Sequence, residues 1–359
     1  MDKIGSLAEA YGLNNKNLKT EKFGSGHIHA TYLVEQEDDK EKYILQTFNN
    51  SVFKFPERIS SNLGALSGHL GESLLPFVLP LPVRNRDGEF FTQVEGQLFR
   101  LFPFVEGVTK DAVEHPHQAN LAAEAFGTFI KTFLNVPIEG IQEPIPDFHN
   151  LSQRYQQLQL SFENTEIIID NELEDIIDFY FDQIDLLQQY QIYQKELPLR
   201  VTHSDTKINN LIFSEDLAKV NALIDLDTIM PGFIFYDFGD LARTVACTED
   251  EASQNWNEIG VDLKKYKALI EGFCKPLAAH ISGKEMASLP YGGEMMTYIM
   301  GLRFLADYLN GNIYYTIHYP EQNRHRAKNQ MHLLMSLQEQ RTNIEALMDE
   351  ALANIDNNI

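Results

Sequence analysis

The sequence predicts an α+β chain, with a small antiparallel sheet over residues 1–104 followed by a mainly helical part over residues 105–359. A change of rhythm and the overall composition carry this. Up to Phe104, apolar residues alternate in short runs broken by Gly, Asn and Asp, the period of half-buried strands. After Glu106-Gly107 they recur at every third or fourth residue, the period of helices that bury one face. Of the 359 residues, 43% are hydrophobic and 23% charged, a globular balance with enough apolar side chains for a sizeable core.

In chain order, residues 22–34 read as strand sequence interrupted by Gly24 and Gly26. In residues 42–48, Tyr43, Leu45 and Thr47 alternate against Ile44 and Gln46, which predicts a strand. Pro56–Leu70 reads as one helix, weakened by Gly64 and Gly68. Residues 89–104 hold two strands around Glu95-Gly96. In the second part, Ala122, Ala125, Phe126, Phe129, Ile130 and Phe133 mark a helix face. Leu173, Ile176, Ile177, Tyr180, Ile184 and Leu187 repeat that period, and residues 329–352 do so again. Pro137–Pro146 reads as a loop, and the Gln-rich patch 188–194 as a solvated helix end; no internal repeat is visible.

The formal charge of −23, from 29 basic and 52 acidic residues, argues against nucleic acid and anionic membranes as partners. It does not bear on a small anion held by local dipoles or a metal ion. Cys247 and Cys274 are too few for a disulfide framework or a cysteine-built metal site. The first 13 residues lack a signal-peptide pattern, and no run of 18 apolar residues occurs. The expectation is a soluble, cytoplasmic protein.

The chemistry is concentrated in Val201-Thr-His-Ser-Asp-Thr-Lys-Ile-Asn-Asn210 and Ala222-Leu-Ile-Asp-Leu-Asp227. His203-x-Asp205 is followed by Asn210 five residues after the aspartate, and by Asp225 beyond a short apolar strand. Phosphoryl transfer of the kinase type needs a carboxylate that takes the hydroxyl proton, and an amide and a second carboxylate that hold magnesium. Asp205, Asn210 and Asp225 supply those groups, and oxygen donors suit a hard cation. Tyr236-Asp-Phe-Gly-Asp240 offers a rival metal aspartate, but Asp237 lies 32 residues after Asp205 whereas Asp225 lies 20. A single short hairpin fits the shorter spacing. Asp225 is therefore the expected ligand, Asp227 a possible second one, and Asp237 a structural anchor. Read alone, His203, Asp205 and Asn210 would be ordinary turn residues; the offsets taken together favour catalysis, with His203 orienting the loop.

These motifs resemble those of the aminoglycoside phosphotransferase and choline kinase superfamily, over nearly the whole chain. More narrowly, the Val201–Asn210 run, Ile224-Asp-Leu-Asp-Thr-Ile-Met-Pro-Gly232 and Gly301-Leu-Arg-Phe-Leu-Ala-Asp-Tyr-Leu309 are similar to N-acetylhexosamine 1-kinases. The resemblance implies a bilobal protein-kinase-like fold, with a small antiparallel-sheet N-lobe and a mainly helical C-lobe. It implies ATP and Mg2+ as cofactors, and a sugar substrate phosphorylated at its anomeric hydroxyl. Other acceptors in that superfamily are choline, homoserine and aminoglycosides; a nucleotide-binding pseudokinase is the non-enzymatic alternative.

On that resemblance, Gly24, Ser25, Gly26 and His27 fall at the phosphate-covering turn, where glycines let backbone N–H groups approach phosphate oxygens. A plain hairpin turn is the other reading. His27 and His29 have no third ligand at metal spacing, so His27 is a candidate for phosphate or sugar contact, or is simply exposed in the turn. Phe104 to Glu106 lie in the segment against which adenine would dock. Gln46 stands where such kinases carry a lysine on the third strand, and no glutamate sits mid-helix in 59–70 to partner one. Lys207 is placed to balance charge on the transferred group. Arg303 and Tyr314 are the candidates for sugar contacts, with an ion pair from Arg303 to Asp307 as the alternative. Thr244 stands where the narrower family can carry an aromatic residue.

Overall fold

The computed structural model describes residues 3–14, 17–24, 29–38, 40–50, 52–70 and 75–356. Two compact units emerge. The smaller gathers Met1–Val108, Glu139–Pro146 and Ile212–Met230; the larger gathers Thr109–Ile138, Asp147–Leu211 and Pro231–Ile359. After Val108 the chain returns twice to the smaller unit.

In the smaller unit, helix α1 (Lys3–Tyr11) precedes strands β1 (Leu18–Lys22), β2 (Ala30–Gln36) and β3 (Lys42–Thr47), then helix α2 (Pro56–Leu70) and strands β4 (Thr92–Val94) and β5 (Gln97–Pro103). The five strands form one sheet in the order β1-β2-β3-β5-β4, antiparallel at every pairing. Glu95 and Gly96 turn the β4–β5 hairpin with φ of 50° and 80°, the paired positive values of a tight hairpin turn. The pleat sends alternate residues to opposite faces. Leu45, Phe99 and Leu101 pack with Val34 and with Leu7 of α1 in one apolar cluster. Gln46 lies opposite Thr31 on β2 and Arg100 on β5, a polar row on the other pleat.

The two later segments are fastened to this unit by specific bonds. Asn62, buried mid-helix in α2, donates to the Gln142 and Ile229 carbonyls at 2.7 and 2.8 Å, and accepts from the Gln142 N–H at 2.8 Å. Ile212–Met230 brings the hairpin of β7 (Leu211–Phe213) and β8 (Val220–Leu223), reached after β6 (Arg200–Thr202). Val108 bridges Phe213 and Val78 bridges Ala222. Gly107 makes that approach possible: at φ 142° it has no Cβ, and one built there would lie 2.2 Å from the Phe213 carbonyl oxygen.

The larger unit is built from α3 (Pro116–Thr132), α4 (Leu151–Asn164), α5 (Asn171–Asp182), α6 (Ile184–Glu196), α7 (Ile234–Val245), α8 (Leu263–Leu277), α9 (Gly283–Ala287), α10 (Leu289–Leu309), α11 (Gln322–Glu339) and α12 (Arg341–Asp356). The apolar face anticipated around Phe126 and Phe129 is the buried face of α3, which starts at Pro116 with the Gln118 side chain accepting the His115 N–H. Phe126, Phe129 and Ile130 are fully buried, each stabilising by about 1.5–3 kcal/mol. The 173–187 periodicity is split into α5 and α6 at Gln183, whose ψ of 34° ends one helix and begins the next; Ile184 is exposed, so the stripe is not continuous. Likewise 329–352 is divided at Gln340.

Two helix pairs approach closely through glycine. A Cβ on Gly239 of α7 would lie 2.1 Å from the Gly292 oxygen of α10, and one on Gly292 would lie 2.3 Å from the Phe235 oxygen of α7. Gly127 of α3 and Gly272 of α8 are related in the same way, 2.7 Å from the Phe273 oxygen and 2.3 Å from the Asn120 oxygen. Among the described residues, no helix is long and apolar enough to cross a membrane.

Candidate active site

The loop after β6 is held from beneath by α7. Asp237 accepts the His203 and Ser204 N–H groups, each at 2.8 Å, and Asp240 accepts the Thr206 N–H at 3.0 Å. Thr206 Oγ1 donates back to the Asp237 carbonyl at 2.7 Å. Burial pushes the Asp237 carboxyl up to about 6 despite those donors. Asp240 is in turn gripped by Arg243, which also bonds Glu251. Ser204 has a φ of 64°, and its carbonyl is capped by His149 Nε2 at 2.9 Å. Burial lowers His149 to about 4, so a neutral imidazole donating from Nε2 fits. His203 is fully buried against the edges of Phe126 and Phe129.

This scaffold presents Asp205, Lys207 and Asn210 together. Lys207 Nζ lies 3.1 Å from Asp205 Oδ1, and Asn210 Nδ2 donates to Asp205 Oδ2 at 3.0 Å and to its carbonyl at 2.8 Å. Burial alone would raise the Asp205 carboxyl. The charges of Lys207 and His203, with hydrogen bonds from Lys207 and Asn210, outweigh it and hold the carboxyl below the usual aspartate range. The Asp205 charge raises Lys207 correspondingly. With its amide nitrogen turned to Asp205, Asn210 keeps Oδ1 as an oxygen donor.

Arg303 and Tyr314 are also brought together. The Arg303 guanidinium sits 5.0 Å from the Phe148 ring, 5.9 Å from Tyr314 and 5.6 Å from Tyr315. Asp307 does not pair with it: that carboxylate accepts the Tyr314 and Tyr315 N–H groups and the Asn323 amide. Arg154 lies near enough that burial, reinforced by the Arg303 charge, lowers it to about 10. Buried polar atoms cluster here without protein partners, namely Arg154 Nε, Arg326 Nε and Tyr315 OH.

In the smaller unit, Asp225 adopts φ 60° and ψ 60° at the start of a single 3-10 turn, Leu226–Thr228. Asp227 is buried, with both carboxylate oxygens taken by Arg100 and one also 3.0 Å from His29 Nε2. Gln46 accepts from Arg100 Nε at 3.0 Å. Gly24 has a φ of 73°; Ser25, Gly26 and His27 lie outside the described residues. In the segment 104–106, Phe104 N–H donates to the Lys42 carbonyl and the Glu106 carbonyl accepts from Asn221. The Phe104 N–H is thus engaged within the sheet, while the Glu106 carbonyl keeps a second lone pair. Sequence reasoning missed Arg100, His29 as an Asp227 donor, the Asp240–Arg243–Glu251 chain and the Phe148–Arg154–Tyr315 surroundings of Arg303.

A five-stranded antiparallel sheet, a helical unit and an Asp205–Asn210 loop anchored by buried aspartates define a kinase-type phosphotransferase. The family model described as phosphotransferase enzyme family (APH) matches residues 19–259, and the chain belongs to that family. It is 25% identical over 279 residues to a homoserine kinase of Nitrobacter hamburgensis, covering 76% of this chain and 77% of that one. Among solved structures it is similar to a microcompartment-associated aminopropanol kinase, with TM-score 0.64, 17% identity, and 95% and 98% of the two chains covered. A spectinomycin phosphotransferase solved with ADP and spectinomycin gives TM-score 0.60 and 13% identity, covering 94% and 97%. At these identities the structural likeness establishes the kinase-like fold.

Proposed function

We propose that the chain is an ATP-dependent kinase that phosphorylates the anomeric hydroxyl of an N-acetylhexosamine. The observation that carries the reaction class is the Asp205 carboxylate, ionised and fixed between Lys207 and Asn210. In this reading Asp205 orients the acceptor hydroxyl and takes its proton. Lys207 balances negative charge on the transferred group. Asn210 Oδ1 and the Asp225 carboxylate are hard oxygen donors that fit magnesium. Bound there, magnesium would neutralise phosphate charge. The Gly24–His27 turn is the proposed phosphate cover.

The acceptor assignment rests on Arg303. A choline or ethanolamine headgroup needs anions or an unoccupied aromatic cage, whereas the cage of Phe148, Tyr314 and Tyr315 already surrounds a guanidinium. A neutral sugar, hydrogen-bonded by Arg303 and Tyr314, suits that charge. The similarity of residues 301–309 to N-acetylhexosamine kinases supports the same substrate. Homoserine is the second reading, favoured by the curated relative and by the ability of a guanidinium to clamp a carboxylate.

ATP consumption with magnesium should be measured across N-acetylglucosamine, N-acetylgalactosamine, glucose, galactose, choline, homoserine and kanamycin, with phosphorus NMR of the product. An anomeric phosphate on an N-acetylhexosamine is expected. O-phosphohomoserine would replace the sugar reading with the second one, and turnover of choline alone would overturn both.

A further inference from the structure

The cation absent from position 46 has a counterpart one strand away. Arg100 lies directly across from Gln46 in the β3–β5 register and is 2% exposed. Its Nε donates to Gln46 Oε1 at 3.0 Å, its Nη2 to Asp227 Oδ2 at 2.6 Å, and its Nη1 to Asp227 Oδ1. His29 closes the other side of Asp227. The Asn49 N–H donates to His29 Nδ1 at 3.1 Å, so Nε2 carries the hydrogen directed at Asp227. The imidazole is stacked on Phe48 and Phe53, with ring planes 20° and 19° apart.

With three of its five N–H groups engaged and the side chain buried, Arg100 is committed to Gln46 and Asp227. What it fixes is Asp227, two residues beyond the left-handed Asp225 and within the same 3-10 turn. Buried ion pairs are weak sources of net stability, but removing one partner is costly, so they lock a geometry firmly. We propose that Arg100 is a positioning residue that stands in for the missing third-strand lysine by tying the Asp225 turn to the sheet through Asp227. The inference rests on the kinase reading above, in which Asp225 holds magnesium, and it gives Asp227 a positioning task.

Two variants test it. Arg100→Lys keeps the charge but loses the two-pronged fork. Arg100→Met combined with Asp227→Leu removes both charges and strands neither. Each folded variant, checked by thermal unfolding, is titrated with magnesium at fixed ADP by calorimetry, and kcat and KM for ATP and acceptor are measured in parallel. The expected result is a roughly 10–100-fold rise in the magnesium needed for half-maximal binding in the double variant, as for other residues that orient metal ligands. Arg100→Lys should fall between it and wild type, and KM for the acceptor should stay unchanged. Wild-type magnesium dependence in either folded variant overturns the proposal. The wild-type titration comes first: a protein that binds no magnesium nucleotide overturns the kinase reading and the positioning role with it.

Discussion

Asp205 turns its two carboxylate oxygens to different partners, Lys207 at one and Asn210 at the other. Asp205→Asn removes the proton acceptor while keeping the shape, so kcat should fall by about 10²–10⁴-fold with nucleotide affinity largely unchanged, as read by single-turnover kinetics and calorimetry. The pH profile separates Asp205 from its anchor. The Asp205 carboxyl is depressed, so the stability its pairing contributes is present above its ordinary value of 3.8 and is lost only as pH falls through the lower folded value. Asp237 has the opposite sign. Its folded value near 6 exceeds the ordinary 3.8, so its share of stability is greatest below 3.8 and is lost as pH rises to 6. The expected acid limb of kcat/KM therefore lies near pH 6 and comes from protonation of the anchor. Asp237→Asn should abolish that limb, and one that persists unchanged in this variant would assign it elsewhere.

At the scale of elements, α7 has two tasks that meet in one short motif. Asp237 and Asp240 face the loop, and Gly239 between them lets α10 come close. Gly239→Ala should destabilise the protein by about 1–3 kcal/mol, the usual effect of overpacking, in urea unfolding. It should also lower kcat, because displacing α7 displaces the anchors. This division explains what was legible in advance. Strands β3 and β5 and the buried face of α3 announce themselves through local period. The loop residues Asp205, Lys207 and Asn210 sit at short fixed offsets, so their meeting needs no knowledge of the fold. α4 buries little beyond Leu151, Leu158 and Ser161, too sparse a stripe to read. Arg100 was invisible because its partner is 127 residues away, and nothing in a strand reading Gln-Leu-Phe-Arg-Leu-Phe distinguishes a buried arginine from an exposed one.

For the molecule as a whole, the formal charge of −23 does not decide whether a local site holds a small anion, but its long-range field slows the approach of an anionic magnesium nucleotide. Raising ionic strength from 0.01 to 0.15 M shortens the screening length from about 30 to about 8 Å. The nucleotide association rate, measured by stopped flow, should therefore rise by roughly two- to fivefold. A rate that falls with salt would instead reveal a basic entrance that outweighs the net charge.

Neither unit is an unbroken stretch of chain, and this affects the order in which the protein can be made. When residue 108 has left the ribosome, the sheet is complete in strands, but Arg100 has no counter-charge until Asp227 follows. At about 5–20 residues per second that interval is roughly 6–25 s. During it the nascent sheet carries an uncompensated cation on one pleat and lacks the β7–β8 hairpin that belongs beside Val78 and Val108. The smaller unit, though first in sequence, is thus finished late in synthesis, and a gene fragment ending at residue 108 encodes a sheet without the residue that neutralises its centre.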